Sequence, residues 1–365
     1  MLKAVRAKQY LDVNTGRLIP NAIILIENER IVQIDPQVFM PTNTQILDLP
    51  DLTILPGLID CHTHITYHYD SNGRFGFTEQ SYEEILQGGQ ENLKKTLLAG
   101  FTTIRDVGAS NGLDFALRNL HSVGPQLLVS GEPIFSPNDN VIERIEKGPD
   151  VIKVFNGMKD ESQANFNSRH IRSIVNLANQ HGLPVAVHSF EAISTVESSN
   201  GGASTIEHGS FITDQAAEIM AQNKTTLIPT LSMPRHYLAN RNRYNFSQDN
   251  WAHFEKAAKE GISSIALAKR HGVNIVFGTD SVAGMHGNNA NEFILLQEAG
   301  LSPLEAIQTA TINAANALRI HDIGQIAPGY KADLIGIRGN PLKNLSLLLP
   351  ENVVWVMKDG KVVKS

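Results

Sequence analysis

Between about residues 55 and 280 the chain alternates short β-rich runs with longer stretches of helical periodicity, and eight such runs can be read. They are "ILPGLIDCHTH", "FTTIRDV", "QLLVS", "DVIKVF", "PVAVHS", "STIEH", "TTLIPT" and "VNIVFGTD". Between them stand "YEEILQGGQENLKKTLLA", "SRHIRSIVNLANQ", "TDQAAEIMAQ" and "WAHFEKAAKEGISSIALAKR", whose apolar residues recur at the spacing of one helix face. Strands separated by helices pair in parallel, with each helix covering a crossover. Eight units of this kind predict an α/β fold, a (β/α)8 TIM barrel over residues 56–328. Gly100, Gly182 and Gly272 stand where helix gives way to strand and left-handed backbone is wanted. After the eighth run, "SPLEAIQTATINAANAL" opens with Ser302 as cap, Pro303 in the first turn and Glu305 completing a capping box.

The two ends break this alternation. Residues 1–55 carry "AIILIENERIVQI" and "TQILDL"; residues 329–365 carry "ADLIGI" and "VVWVMKDGKVV", the last turning at Asp359-Gly360. Neither end has strands enough for a core of its own, so the two are expected to join in one small composite β-sandwich beside the barrel.

Composition narrows the partners. The chain has 365 residues, 42% of them hydrophobic, and no run near 18 consecutive apolar residues, so no membrane partner is expected. The start, "MLKAVRAKQYLDVNTG", has no signal-peptide core, which makes a cytoplasmic location the expectation. A net charge of -6 without a basic stripe argues against nucleic acid and for a small-molecule substrate. Assembly into a homo-oligomer is left open. The single cysteine, Cys61, excludes an internal disulfide and reads as a buried structural thiol.

In a barrel of this kind the chemistry gathers where the strands end. Side chains alternate along a strand, so His62 and His64 share a face at the end of the first run. The fifth run ends in His188, the sixth in His208 and the eighth in Asp280. Singly, each reads as a hydrogen-bonded core residue or a turn; together they are the donors that a Zn²⁺-like ion selects, with Mn²⁺ and Fe²⁺ also accommodated. Lys153, near the end of the fourth run, is no ligand as an ammonium. Either it faces away from the metal, or CO2 has turned its amine into a carbamate that bridges two divalent ions. On that second reading one ion takes His62, His64 and Asp280, the other His188 and His208. A hydroxide between them would attack a carbonyl, with Asp280 as the catalytic proton shuttle.

The segments "PGLIDCHTH", "GFTTIRDVG", "VIKVF", "VAVHS", "TIEHGS", "GTDS", "PLEAIQTATINAA" and "GQIAPGYKADLIGI" resemble, in this order, the amidohydrolase superfamily. Within it the chain is most similar to the imidazolonepropionase-related branch that includes Xaa-Pro dipeptidases. The resemblance covers almost the whole chain and implies a binuclear zinc site of His62, His64, carboxylated Lys153, His188, His208 and Asp280. Imidazolonepropionase itself uses one ion without a lysine ligand, so "VIKVF" points away from that activity. "PTLSMPRHYL" has Ser-Met-Pro where peptidase relatives place a tyrosine, and substrate contacts fall instead to His286, Tyr237 and Arg235, with His236 and His68 behind them. His181 and His271 read as partners of helix C-termini.

The expected activity is cleavage of an amide in a dipeptide or N-acyl amino acid. The alternative keeps the site and changes the bond to a lactone, ester or phosphotriester. A scaffold without activity would have no reason to hold all six ligand candidates.

Overall fold

The computed structural model describes residues 2–35, 41–67, 80–120, 123–157, 164–282 and 284–365. The chain begins with β1 (Leu2–Asp12), β2 (Arg17–Glu27), β3 (Arg30–Ile34) and β4 (Gln45–Pro56). The centre holds β5 (Leu58–Thr63), β6 (Phe101–Asp106), β7 (Gln126–Val129), β8 (Ile152–Phe155), β9 (Val185–Glu191), β10 (Thr205–Phe211) and β11 (Thr226–Ile228). It closes with β12 (Leu334–Arg338), β13 (Val353–Lys358) and β14 (Lys361–Lys364).

Every central strand pairs in parallel, in one arc of three, β5-β6-β7, and one of four, β8-β9-β10-β11. Single contacts rather than ladders join the arcs. Ile134 bridges Val154, and the Asp150 N–H donates to the Val129 carbonyl at 2.8 Å. The eighth expected strand is not regular: residues 274–281 touch β11 through Leu227–Ile275 and β5 through Thr63–Ser281. Asp280 has φ +55°, and a left-handed residue ends an extended run.

Two glycines permit this packing. A Cβ at Gly278 would sit 2.3 Å from Ile228 Cγ2 and 2.9 Å from His62 Cβ, so only glycine lets 274–281 approach β5 so closely. At Gly57 a Cβ would fall 2.2 Å from Thr102 Oγ1. Gly57 also divides "ILPGLIDCHTH", which is not one strand: Pro56 closes β4 in the outer sheet and Leu58 opens β5.

The helices follow from their caps and faces. In Ser168–Gln180, Asn167 accepts the His170 N–H at 3.0 Å, and the spacing of Ile171, Ile174, Val175 and Ala178 buries one stripe. Full burial of a large aliphatic side chain contributes roughly 1.5–3 kcal/mol, enough to outweigh the marginal stability of so short an isolated helix. Expected helices also stand at Tyr82–Leu98, Asp214–Gln222 and Gln248–Arg270. The capping box at Ser302 and Glu305 forms, but that helix is broken in two, Pro303–Thr309 and Ile312–Ala317. Thr311, at φ -132° and ψ -102°, makes the break. Gly100, Gly182 and Gly272 take φ of +99°, +72° and +73°, while His181 and His271 occupy helix C-caps. No helix among the described residues is long and apolar enough to cross a membrane.

The chain ends share one seven-stranded sheet, β14-β13-β12-β4-β1-β2-β3. These strands hydrogen-bond as one continuous sheet that curls. The Ile31 N–H of β3 donates to the Tyr330 carbonyl at 2.9 Å, just before β12. Inside the curl pack Val5, Ile24, Ile54, Leu334 and Trp355.

Candidate metal centre

Parallel strands end on a common rim, and there the structure gathers the predicted side chains. His62 Nε2 and His64 Nε2 approach one carboxylate oxygen, Asp280 Oδ1, at 3.4 and 3.3 Å. Backbone pairing enforces the approach: the Asp280 N–H donates to the His62 carbonyl at 2.8 Å and the His64 N–H to the Ser281 carbonyl at 2.9 Å. The His208 ring lies 5.0 Å from that of His62 and 4.5 Å from that of His188, centroid to centroid. One donor atom each from His62, His208 and Asp280 all lie within 4.8 Å of one another.

The hydrogen bonds decide which imidazole nitrogen is free. His62 Nδ1 lies 2.5 Å from Glu207 Oε2, and His64 Nδ1 lies 3.0 Å from the Gly108 carbonyl. A carbonyl can only accept, and an ionised carboxylate likewise, so each Nδ1 carries the proton and each Nε2 turns its lone pair toward Asp280. His208 Nδ1 meets Thr230 Oγ1 at 2.7 Å, and its Nε2 faces His188 Nδ1 at 2.9 Å. Burial holds all four imidazoles below their ordinary basicity, with His64 brought down to about 3. Neutral imidazoles are the form that binds a cation.

Lys153 is 2% exposed, and its Nζ makes no hydrogen bond to the described residues. Burial brings its ammonium down to about 8, against the upward pull of Glu207 and Asp280. Burial also pushes the Asp280 carboxyl up to about 7, with Lys153 pulling it back. Strain concentrates here as well. His208, Thr230 and Asp280 take φ of +75°, +51° and +55°. Left-handed backbone costs such residues on the order of 1–3 kcal/mol each, and it persists only where the surroundings enforce it.

Beneath the rim lies a charge network that sequence reasoning missed. Glu207 is fully buried, binds His62 and lies 3.1 Å from Arg105, whose Nε donates to the Cys61 carbonyl at 2.6 Å. Thr205 also donates to Glu207. Asp60 accepts from Thr279 Oγ1 at 2.6 Å, Asn289 at 2.7 Å and the His62 N–H at 3.1 Å. A signal existed: a charged residue inside an otherwise apolar buried strand, as in "TIRDV" and "STIEH", needs a partner across the sheet. Cys61 is buried, and burial pushes its thiol up, which leaves it inert.

The three candidate substrate contacts are each held by neighbouring groups. His286 is buried, its Nε2 3.3 Å from the His64 carbonyl. Tyr237 is buried among Tyr244, Phe246 and Phe254. Arg235 reaches Glu298 at 3.5 Å and the Ala258 carbonyl at 3.3 Å, and with His236 it borders a groove of about 410 Å³ that also touches Ser281 and Met285. A larger cavity of about 700 Å³, edged by Gln126, Pro184 and Lys331, touches none of the ligand candidates. His68 lies outside the described residues.

The sequence profile of the amidohydrolase family matches residues 53–363. The chain belongs to the amidohydrolase family. Among family members, it is 25% identical to an ochratoxinase of Aspergillus niger, over 96% of this chain and 84% of the relative. It is 27% identical to an imidazolonepropionase of Deinococcus deserti, over 86% of each. A solved amidohydrolase structure, a Xaa-Pro dipeptidase with bound methionine in the active site, superposes with a TM-score of 0.89 at 28% identity and covers 100% of both chains. These relatives match the branch to which the motifs pointed. Family membership makes the chain an enzyme, and metal dependence fits the family. The donor set agrees: neutral imidazoles and a carboxylate converge, and a buried amine beside them has no hydrogen-bond partner among the described residues.

Proposed function

We propose that the chain is a metal-dependent hydrolase that cleaves an amide in a dipeptide or N-acyl amino acid. The observation that carries this reading is the convergence of His62, His64, His208 and Asp280, their imidazoles held neutral. His62, His64 and Asp280 would hold one divalent ion, His188 and His208 a second, and zinc suits these donors. Such an ion polarises a carbonyl and makes a water available as nucleophile near neutral pH. As a carbamate, Lys153 would supply these ions with an anionic oxygen donor. With its ammonium brought down to about 8, a neutral amine is accessible. Its lone pair would form the N–C bond as a C–O π pair of CO2 moves onto oxygen, and the nitrogen's proton would pass to water.

Asp280 would do the proton work, taking up a proton beside the site and returning it to the departing nitrogen. His62 and His64 position that carboxylate, and their own orientation is fixed by Glu207 and the Gly108 carbonyl. In the same reading the two parallel arcs and residues 274–281 close as a (β/α)8 barrel over residues 56–328. The bridges Ile134–Val154, Leu227–Ile275 and Thr63–Ser281 support that closure.

The decisive experiment combines metal analysis of the purified protein with hydrolysis of a panel of dipeptides, N-acyl amino acids, lactones, esters and phosphotriesters. Bound zinc with turnover of amides is expected. Turnover confined to lactones or phosphotriesters would overturn the amide reading while leaving the metal site intact.

A further inference from the structure

Phe135 is 49% exposed, yet it is not a loose surface side chain. Its ring stacks on Phe155 at 4.9 Å with planes 19° apart, and Phe155 stacks in turn on His188 at 4.7 Å and 28°. The three rings form a ladder from the candidate centre to solvent. The loop that presents Phe135 is tied down on both sides. Ile134 exchanges two backbone hydrogen bonds with β8, to Lys153 at 2.8 Å and from Phe155 at 2.9 Å. Asp139 then accepts the N–H groups of Phe135 and Ser136 at 2.7 and 3.1 Å.

A single exposed apolar residue is ordinary on protein surfaces. An exposed ring fixed by its backbone and continuous with a ligand candidate is different, because it offers a flat apolar face at no cost in loop ordering. His188 is itself only partly buried, so the ladder runs along the open side of the centre. Phe190 walls the other side, stacked on His208 at 4.5 Å and 12°.

We propose that Phe135 and Phe155 form a substrate subsite for an aryl group, and that Phe135 sets the preference for aryl over alkyl substrates. This rests on the amide-hydrolase reading for the identity of the scissile bond, though not for binding itself. The aryl ring lies in edge contact along the rims of Phe135 and Phe155, whose facing surfaces are already stacked, and its remainder reaches toward His188. Stacking of this kind is worth roughly three- to tenfold in affinity.

The test uses the full metal-loaded chain and two readouts. Calorimetric binding of 3-phenylpropionate against propionate reports the subsite without turnover. Ratios of kcat/KM for phenylalanine-containing dipeptides against Ala-Ala report it in catalysis. The native protein should favour the aryl partner in both, and Phe135→Ala should bring both ratios close to one with metal content and melting temperature preserved. Phe135→Trp should keep the preference. Ile142→Ala, at a residue 51% exposed in the following helix, should leave it intact. No aryl preference in the native protein, or a preference that survives Phe135→Ala, overturns the proposal. Aryl binding that depends on Phe135 without cleavage of any dipeptide or N-acyl amino acid supports the subsite and overturns the amide reading instead.

Discussion

The two histidine pairs of the site are held by opposite means. His62 and His64 are fixed by a carboxylate and a carbonyl, backed by Arg105 and Asp60, whereas His188 and His208 are wedged among Phe155 and Phe190. Directional bonds choose a tautomer and point a lone pair, at the cost of desolvating several charges. Rings exclude water and restrict tilt but leave the proton's position to the small Thr230 hydroxyl. The first half therefore specifies chemistry, and the second shapes the space in front of it.

The largest effect that would test this contrast is at the carboxylate that His62 and His64 approach. Asp280→Asn should lower kcat by roughly 10²–10⁴ at saturating substrate, with the fold retained by circular dichroism. Wild-type turnover in that variant would remove Asp280 from the proton path. Next, Glu207→Ala strands the buried Arg105 guanidinium and should cost about 3–5 kcal/mol in chemical denaturation. Replacing both residues by leucine should restore much of that stability but not the affinity for a divalent ion, because His62 has lost the group that orients it. Recovery of full metal occupancy in the double variant would make the polar half merely structural.

A third effect of similar kind comes from Glu292, which accepts the N–H groups of Leu231 and Ser232 at 2.9 and 2.7 Å. Burial pushes its carboxyl up to about 7, and Asp60 adds to that push. The folded protein thus holds this proton more tightly than the unfolded chain, whose value is near 4.5. Its contribution to stability is full at low pH and declines as pH rises through that window, by on the order of 3 kcal/mol. Denaturation at pH 5 and pH 8 should show the decline in the native protein and lack most of it in Glu292→Gln. The smallest effect belongs to the aromatic half: Phe190→Leu should cost about 1 kcal/mol and leave divalent-metal binding unchanged, since the ring packs against His208 without accepting its proton.

The ligand candidates were legible in the sequence because their chemistry is rare at strand ends and the strand period places His62 and His64 together. Glu207 and Arg105 were not. Their meaning depends on β5, β6 and β10 converging beneath the rim, and a linear reading sees only a charge in a strand. Phe135 was hidden for another reason: an aromatic residue in a loop carries no signal until its neighbour is known. Among the elements, amphipathic helices such as Ser168–Gln180 declared themselves, while "AISTVESSN" has no apolar stripe, and packing alone makes Ala192–Asn200 a helix. The run "VNIVFGTD" has strand composition but must bend at Asp280 to reach the histidines, which no propensity anticipates.

One edge of β4 pairs with β1 and the other with β12, strands drawn from opposite ends of the chain. A nascent polypeptide therefore carries a naked backbone edge on β4 until β12 has been synthesised and has emerged from the ribosome. That interval invites misassociation with other chains. Maturation of this enzyme waits on β12, and lesions in that strand should first appear as a fault of biogenesis.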